Sequence, residues 1–316
     1  MKCLVTGGAG FIGSHLCEAL LKRGDQVVCL DNFNDYYSPE RKRRNVAPFL
    51  NDPNFNLVEG DIRDGDLLTS TFEKERPTHV AHLAAMAGPR YSIQKPALYE
   101  EVNVRGTLNM LGAAYTNNVQ GFFQASTSSV YGLSPTPWSE TSDTGRPLSP
   151  YAATKKAAEV LAFTYHSLYK LPVRIGRFFT VYGPKGRPDM TPYVFVDAMV
   201  KGQPITLFNG GQDIWRDWTY IDDIVDGIMA ALDSDLDYEI INLGNSNPVQ
   251  LIDFIQTLEK VTGLKARIES GPLPATDPPI TFADTSKAKR LLNFEPRTPL
   301  KTGLANFWQW YQNKDS

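Results

Sequence analysis

The segment CLVTGGAGFIGSHLCEALLKR, Cys3 to Arg23, constrains this chain more than any other. An apolar, β-branched run ends in a glycine cluster, and an amphipathic run at helical spacing follows. Gly7, Gly10 and Gly13 stand three residues apart across the turn. A strand, a tight glycine turn and a helix in that order open a βαβ unit whose helix N-terminus favours a pyrophosphate. The first glycine allows the turn, the second lets backbone approach the diphosphate, and the third lets helix and strand pack closely. Asp31 ends the next apolar run, 18 residues after Gly13. A carboxylate there accepts from both hydroxyls of an adenosine ribose and repels a 2′-phosphate, which points to NAD rather than NADP. Asp61, in GDIRD after the third run, is placed to meet the adenine edge.

Short apolar runs recur at 26–30, 55–60, 79–84 and 121–126, with helical patterns between them. That alternation predicts an α/β fold, a Rossmann-type doubly wound parallel sheet with helices on both faces. Two long helices are expected near 97–117 and 151–169. Val104, Leu108, Leu111 and Ala114 form an apolar face on one, and Ala157, Ala158, Leu161, Tyr165 and Leu168 on the other. Core packing or a pairing of two copies would each account for those faces. Beyond residue 180 proline and glycine rise and alternation fades, which predicts a smaller substrate-binding lobe. RDWTYIDDIVDGIMAAL and YEIINLGN read as a helix and strand returning to the sheet. The expected division is therefore 1–179 with 218–247 for the cofactor, and 180–217 with 248–316 for the substrate-binding lobe.

A formal net charge of −3 argues against a nucleic-acid or anionic-membrane partner. The one dense basic cluster, ERKRR at 40–44, reads as a solvated helix face. No apolar stretch is long enough to cross a bilayer, and glycines interrupt the N-terminal apolar run as no signal peptide would. Cys3, Cys17 and Cys29 show no metal or disulfide spacing, so reduced, buried thiols and a cytoplasmic setting are expected. No histidine spacing suggests a metal site, and His82 is expected to pack at a strand end.

Tyr151 and Lys155, in SPYAATKKAAE, lie one helical turn apart on one face. A free phenol titrates near ~10 and is a poor base at neutral pH. An adjacent ammonium stabilises phenolate and lowers that value, so the tyrosine can take a hydroxyl proton while hydride leaves the same carbon. Upstream, STSSVYG (126–132) offers four consecutive hydroxyls and no carboxylate where a strand should end.

TGGAGFIG, HLAAMAG, NVRGT, STSSVYG, YAATK, RFFTVYGP and RDWTYIDD occur in an order that resembles the extended short-chain dehydrogenase/reductase family over essentially the whole chain. Within it the chain is most similar to nucleotide-sugar 4-epimerases, above all UDP-glucuronate 4-epimerases, through DNFNDYY, RFFTVYGP, GRPDM and FADTSKAKRLL. The resemblance implies Thr127 as a third catalytic hydroxyl beside Tyr151 and Lys155. It implies NAD contacts at Phe11, Ile12, Asn32, Ile62, Leu83, Ala84, Ala85, Asn103 and Phe179, and a homodimer. Related dehydratases carry Asp and Glu after the threonine, and decarboxylases a Glu at the second place; here both are Ser128 and Ser129. Thr180 stands where hexose epimerases carry Asn. Three neutral hydroxyls suit a carboxylate at C6, so 4-epimerisation of UDP-glucuronate is the expected reaction. A UDP-glucose/galactose 4-epimerase, a net NAD-dependent oxidoreductase and a non-catalytic NAD sensor are the competing readings.

The nucleotide contacts follow from resemblance too. Arg187 and Arg216 are candidate pyrophosphate or substrate clamps, or else surface salt-bridge partners. Phe208 is a candidate wall for uracil, and Asp277 a partner of ribose or of an arginine. Arg90 follows Pro89, a departure that stiffens its loop, and Pro274 stands where hexose epimerases carry Arg.

Overall fold

The computed structural model describes residues 1–314. Strands β1 (Lys2–Thr6), β2 (Gln26–Asp31), β3 (Phe55–Glu59), β4 (His79–His82), β5 (Gly121–Thr127) and β6 (Val173–Phe178) come in sequence order, at the positions of the apolar runs where the sequence has them. Between and after them lie α1 (Phe11–Arg23), α2 (Pro39–Val46), α3 (Gly65–Glu75), α4 (Pro89–Gln94), α5 (Pro96–Glu100), α6 (Thr107–Thr116) and α7 (Pro150–Tyr169). The remaining chain forms β7 (Thr180–Tyr182), α8 (Thr191–Val200), β8 (Pro204–Phe208), β9 (Trp215–Tyr220), α9 (Ile221–Asp233), β10 (Tyr238–Leu243), β11 (Pro248–Gln250), α10 (Leu251–Thr262), β12 (Arg267–Gly271), α11 (Ser286–Leu292) and α12 (Leu300–Asn313).

Seven strands form one parallel sheet in the order β10-β6-β5-β4-β1-β2-β3. Residue alternation along each strand supplies both cores. Leu4, Val28, Val80, Phe122 and Ile175 pack on one side with α6 residues Met110 and Leu111. Cys3, Val5, Val27, Ala81 and Phe123 pack on the other with α1 and α9 residues such as Leu16 and Ile228. The strand order reverses between β1 and β4, and ligand crevices in such sheets open at the carboxyl ends beside that switch point. The lobe adds a three-stranded sheet, β11-β9-β7, and the pair β12-β8. The 217/218 division expected from sequence falls inside β9.

Three local expectations need correction. The helix expected over 97–117 is broken into α5, a π-helical turn at Glu101–Gly106, and α6. Gly106 sits against Ile62, where a Cβ would come within 2.5 Å of Ile62 Cδ1, and the turn lets the helix settle onto that contact. On α7 the expected face holds at Ala158, which is buried, and at Leu161 and Tyr165, which pack half-buried on the core, but Glu159 and Ala162 are buried beside it and Leu168 is 65% exposed. Both sides of that helix are apolar, so spacing alone could not say which one meets the sheet. The basic cluster is not a solvated face throughout. Lys42 is buried and donates to Asn34 O and Oδ1 at 2.8 and 2.9 Å, and the Arg41 guanidinium lies 4.5 Å from the Tyr193 ring centroid.

All three cysteines are buried free thiols. His82 is buried, hydrogen-bonded to Thr6 Oγ1 (2.8 Å) and Thr107 Oγ1 (3.0 Å), and burial pushes its titration down to about 3, so it is a neutral core residue. Among the described residues no group of three or more His, Cys, Asp or Glu side chains is arranged to hold a metal.

Candidate active site

A cleft of about 880 Å³ runs along the carboxyl ends of the strands and under the lobe. Its first end is the glycine turn between β1 and α1. Gly7 adopts φ +67°, and a Cβ there would lie 2.8 Å from Ala84 N. A Cβ on Gly13 would strike the Gly7 carbonyl, so α1 can start against the turn only with glycine. Gly10 caps α1 and, with Phe11 and Ile12, lines the cleft; the first helical turn carries no acidic side chain. Free backbone N–H groups and a positive helix end are thus left for an anion.

Asp31 closes β2 with Oδ2 accepting from Ala9 N (3.1 Å) and Oδ1 from Phe33 N (2.9 Å). Burial raises its titration, while those two N–H groups and Lys42 oppose the rise. Each oxygen keeps lone pairs for ribose hydroxyls. Asp61 lies at the same rim, but its carboxylate is already taken by Arg63, with Nη2 at 2.8 Å, and by Asn32 Nδ2 at 2.9 Å. Burial acts to raise its titration, but those bonds prevail and hold it down to about 2. Ile62, Leu83, Ala84, Ala85 and Phe179 also line the cleft. Asn103 does not. It is buried in the π turn, where Oδ1 accepts from Met86 N (2.8 Å) and Nδ2 donates to Met86 O (3.0 Å) and Thr154 Oγ1 (3.1 Å). There it braces the 83–87 wall from behind.

At the middle of the cleft β5 ends on Thr127, whose Oγ1 accepts from Ser129 N (3.1 Å) and so turns Ser128 and Ser129 toward the opening. Ser149 caps α7 through Ala152 N (3.2 Å) and starts the helix that carries Tyr151 and Lys155. Thr127, Ser128, Ser129, Tyr151, Lys155 and Thr180 line one stretch of wall. Burial raises the Tyr151 titration, and the Thr127 hydroxyl and the Arg187 charge act to lower it. Burial also pushes Lys155 down to about 8, with Glu159 opposing.

Glu159, one turn beyond Lys155, was not singled out by sequence reading, although its spacing puts it on the same face. It is buried and accepts from Arg177 Nε (2.9 Å) and Nη2 (2.8 Å) and from Ser126 Oγ (2.6 Å). That network bolts α7 to the ends of β5 and β6.

The far end gathers residues distant in sequence. Arg90 Nη2 donates to Asp277 Oδ2 at 2.8 Å, and its guanidinium lies 4.9 Å from the Phe208 ring centroid. Arg216 Nη1 donates to the Trp215 and Pro279 carbonyls at 2.8 and 2.9 Å. Pro89 takes the first position of α4, which its ring favours, and Pro274 O accepts from Asp277 N (3.0 Å) in the turn that presents the carboxylate. Arg187 stands apart from this group, paired through Nε (2.9 Å) and Nη2 (2.7 Å) with Asp189.

A glycine anion cradle, a ribose-accepting acid and a Thr–Tyr–Lys set on one Rossmann cleft define an extended short-chain dehydrogenase/reductase. The chain belongs to the family described as GDP-mannose 4,6 dehydratase, whose model matches residues 4–307. It is 44% identical to UDP-glucuronate 4-epimerase 1 of Arabidopsis thaliana, over 98% of this chain and 76% of that one. It is likewise 44% identical to UDP-glucuronate 4-epimerase of Thermodesulfobacterium geofontis, over 97% of this chain and 95% of that one. Its fold superposes with a TM-score of 0.93 on the crystal structure of UDP-glucuronic acid 4-epimerase from Bacillus cereus in complex with UDP-glucuronic acid and NAD. The two are 37% identical, with 99% of this chain and 100% of that chain covered.

Proposed function

We propose that this protein is a UDP-glucuronate 4-epimerase, an isomerase that interconverts UDP-glucuronate and UDP-galacturonate with bound NAD. The observation that carries the reading is one wall on which Thr127, Tyr151 and Lys155 meet Ser128, Ser129 and Thr180 with no carboxylate among them. NAD fits the other end: its diphosphate suits the N–H groups at Phe11 and Ile12, its ribose suits Asp31, and Phe11, Ile12, Ile62 and Leu83–Ala85 offer apolar walls. When bound, NAD supplies a reversible hydride acceptor.

The chain's own residues do the rest. Tyr151 accepts the proton of the sugar 4-hydroxyl and later returns it; because the hydride acceptor that NAD would supply is reversible, the hydride would come back to C4 as well and no net oxidation would result. The Thr127 hydroxyl acts to favour the phenolate, and the Lys155 ammonium, on the same wall, favours it too. The 4-keto uronate loses CO₂ when its carboxylate bond aligns with the ketone. Ser128, Ser129 and Thr180 hold that carboxylate with neutral hydroxyls and offer no acid for a second reaction. Arg90, Phe208, Arg216 and Asp277 hold the UDP portion, as guanidinium forks and an aromatic face suit phosphate and base.

Residues 1–179 with 221–247 make up the cofactor half, and 180–220, which includes β9, with 248–314 the nucleotide-sugar half. A second copy packs against α6 and α7, where Tyr115, Val160, Phe163, Leu168 and Tyr169 are exposed. Buried free thiols suit a reducing cytoplasm.

The test is incubation with UDP-glucuronate, UDP-glucose and UDP-xylose separately, with products resolved by chromatography and mass. Inversion of UDP-glucuronate without loss of CO₂ is expected. Inversion of UDP-glucose alone would replace this reading with the hexose one.

A further inference from the structure

The motif DNFNDYY, residues 31–37, forms a strap between β2 and α2, and beyond Asp31 no step above uses it. It braces itself. Asn32 Oδ1 accepts from Asn34 N (3.1 Å), Asn34 Oδ1 accepts from Tyr36 N (3.2 Å), and buried Lys42 holds Asn34 by both oxygens. The strap therefore leaves the ribose-binding acid in a set shape and delivers Tyr36 to the opposite side of the cleft. There Tyr36 Oη donates to Asp189 Oδ2 at 3.0 Å. The fit is close: Gly88, at φ +95°, would carry a Cβ only 2.7 Å from that hydroxyl, so a side chain there would displace it.

Asp189 in turn holds Arg187 by two N–H groups. Those bonds engage two of the five guanidinium donors and fix its plane, and Arg187 lines the cleft. Its place is the reacting end. Its charge acts on the Tyr151 phenol, and the ring of Tyr36 leads to Tyr151 through Tyr91 and Tyr99, with centroid separations of 5.3, 6.3 and 6.2 Å. The uridine-end arginines, by contrast, gather at Phe208 and Asp277.

We infer that Tyr36 is a positioning residue: through Asp189 it aims the Arg187 guanidinium at the anionic sugar, so the strap that frames the cofactor ribose also tunes recognition of the uronate. This rests on the reading of the site as one for a UDP-uronate. A free arginine on a flexible stem loses side-chain freedom when it meets an anion; one already clamped does not, so it binds more tightly. Asp189 stays ionised for the task. Burial raises its titration, but the Arg187 fork and the Tyr36 hydroxyl outweigh that and hold it below the usual range.

Binding to the NAD-loaded protein tests this. Tyr36→Phe removes one oxygen and keeps the ring against Tyr91. It should weaken UDP-glucuronate about tenfold, leave the Kd of UDP, which lacks the sugar, within about twofold, and leave kcat at saturation within about threefold. Asp189→Asn should show the same split, and the double variant should be no worse than Asp189→Asn alone, because both act on one arginine. Equal weakening of UDP and UDP-glucuronate, unchanged Kd for both, or additive losses in the double variant would each overturn the assignment. Tm and bound NAD, measured alongside, report the fold. Should the wild-type protein invert no UDP-sugar, the proposed function fails, while the ratio of the two Kd values still judges the strap.

Discussion

At the glycine turn the groups that face a ligand are backbone: N–H groups at the start of α1, kept open because Gly7 and Gly13 carry no Cβ. Along the rest of the cleft they are side chains, some held by another: Arg187 by Asp189 at the reacting end and Arg90 by Asp277 at the far end. The two ends of one cleft therefore fail differently. Backbone sites break when something is added, because there is no space for it. Side-chain relays break when something is removed, because a buried partner is left alone.

The largest expected effects set these modes side by side. Tyr151→Phe deletes one oxygen and should lower kcat by about 10²–10⁴-fold, the range for loss of a positioned acid–base group. NAD should copurify with it unchanged. Gly13→Val adds two methyl-bearing branches at the cradle and should abolish NAD retention, with activity lost as a consequence. Absorbance of released nicotinamide after denaturation, measured beside turnover, separates the two. If Tyr151→Phe sheds the cofactor or Gly13→Val keeps it, the contrast between the ends is wrong.

The next effect concerns stability. Arg177 and Glu159 are each 1% exposed and joined by two hydrogen bonds beneath the catalytic helix. Glu159→Ala leaves a buried guanidinium without its counter-charge and should cost about 3–5 kcal/mol in denaturant unfolding. Replacing both partners together, as Glu159→Leu with Arg177→Met, should recover most of that loss, because the desolvation of both charges disappears with them. A double variant as unstable as the single one would mean that the pair's other bonds, to Ser126 and Lys156, matter more.

These modes also explain what the sequence disclosed. The strands, the glycine cradle, Asp31 and the Tyr151–Lys155 turn are contiguous patterns, governed by local geometry and readable from spacing. Arg90 and Asp277 are 187 positions apart, and Tyr36 and Asp189 are 153 apart. Only the strand order and lobe placement bring them together, and no periodicity encodes that. The α7 face was legible only in part. Ala158 is buried and Leu161 and Tyr165 pack on the core as expected, but the buried side extends to Glu159 and Ala162 and Leu168 is left exposed. Asn103 lay on the expected stretch of helix, but the π turn there points its amide at Met86.

The smallest expected effect, about tenfold per pH unit, sharpens the comparison at Lys155. Burial holds its amine at about 8 against an ordinary 10.5, with Glu159 pulling the other way. Below about 8 the lysine is charged in native and unfolded chains alike. Between about 8 and 10.5 the unfolded chain binds a proton that the native chain has released, so stability rises with pH across that window. Activity moves oppositely, because the ammonium that favours the Tyr151 phenolate disappears. The alkaline limb of kcat should therefore begin near pH 8 while the denaturation midpoint does not fall, which distinguishes loss of a charge from loss of the fold. Glu159→Gln removes the one influence that raises Lys155 and should move the limb to lower pH; Lys155→Arg, which cannot titrate in this range, should abolish the limb at a reduced overall rate. A limb that stays in place in both variants would assign it to another group, and the reacting end would then depend less on its buried neighbours than its geometry implies.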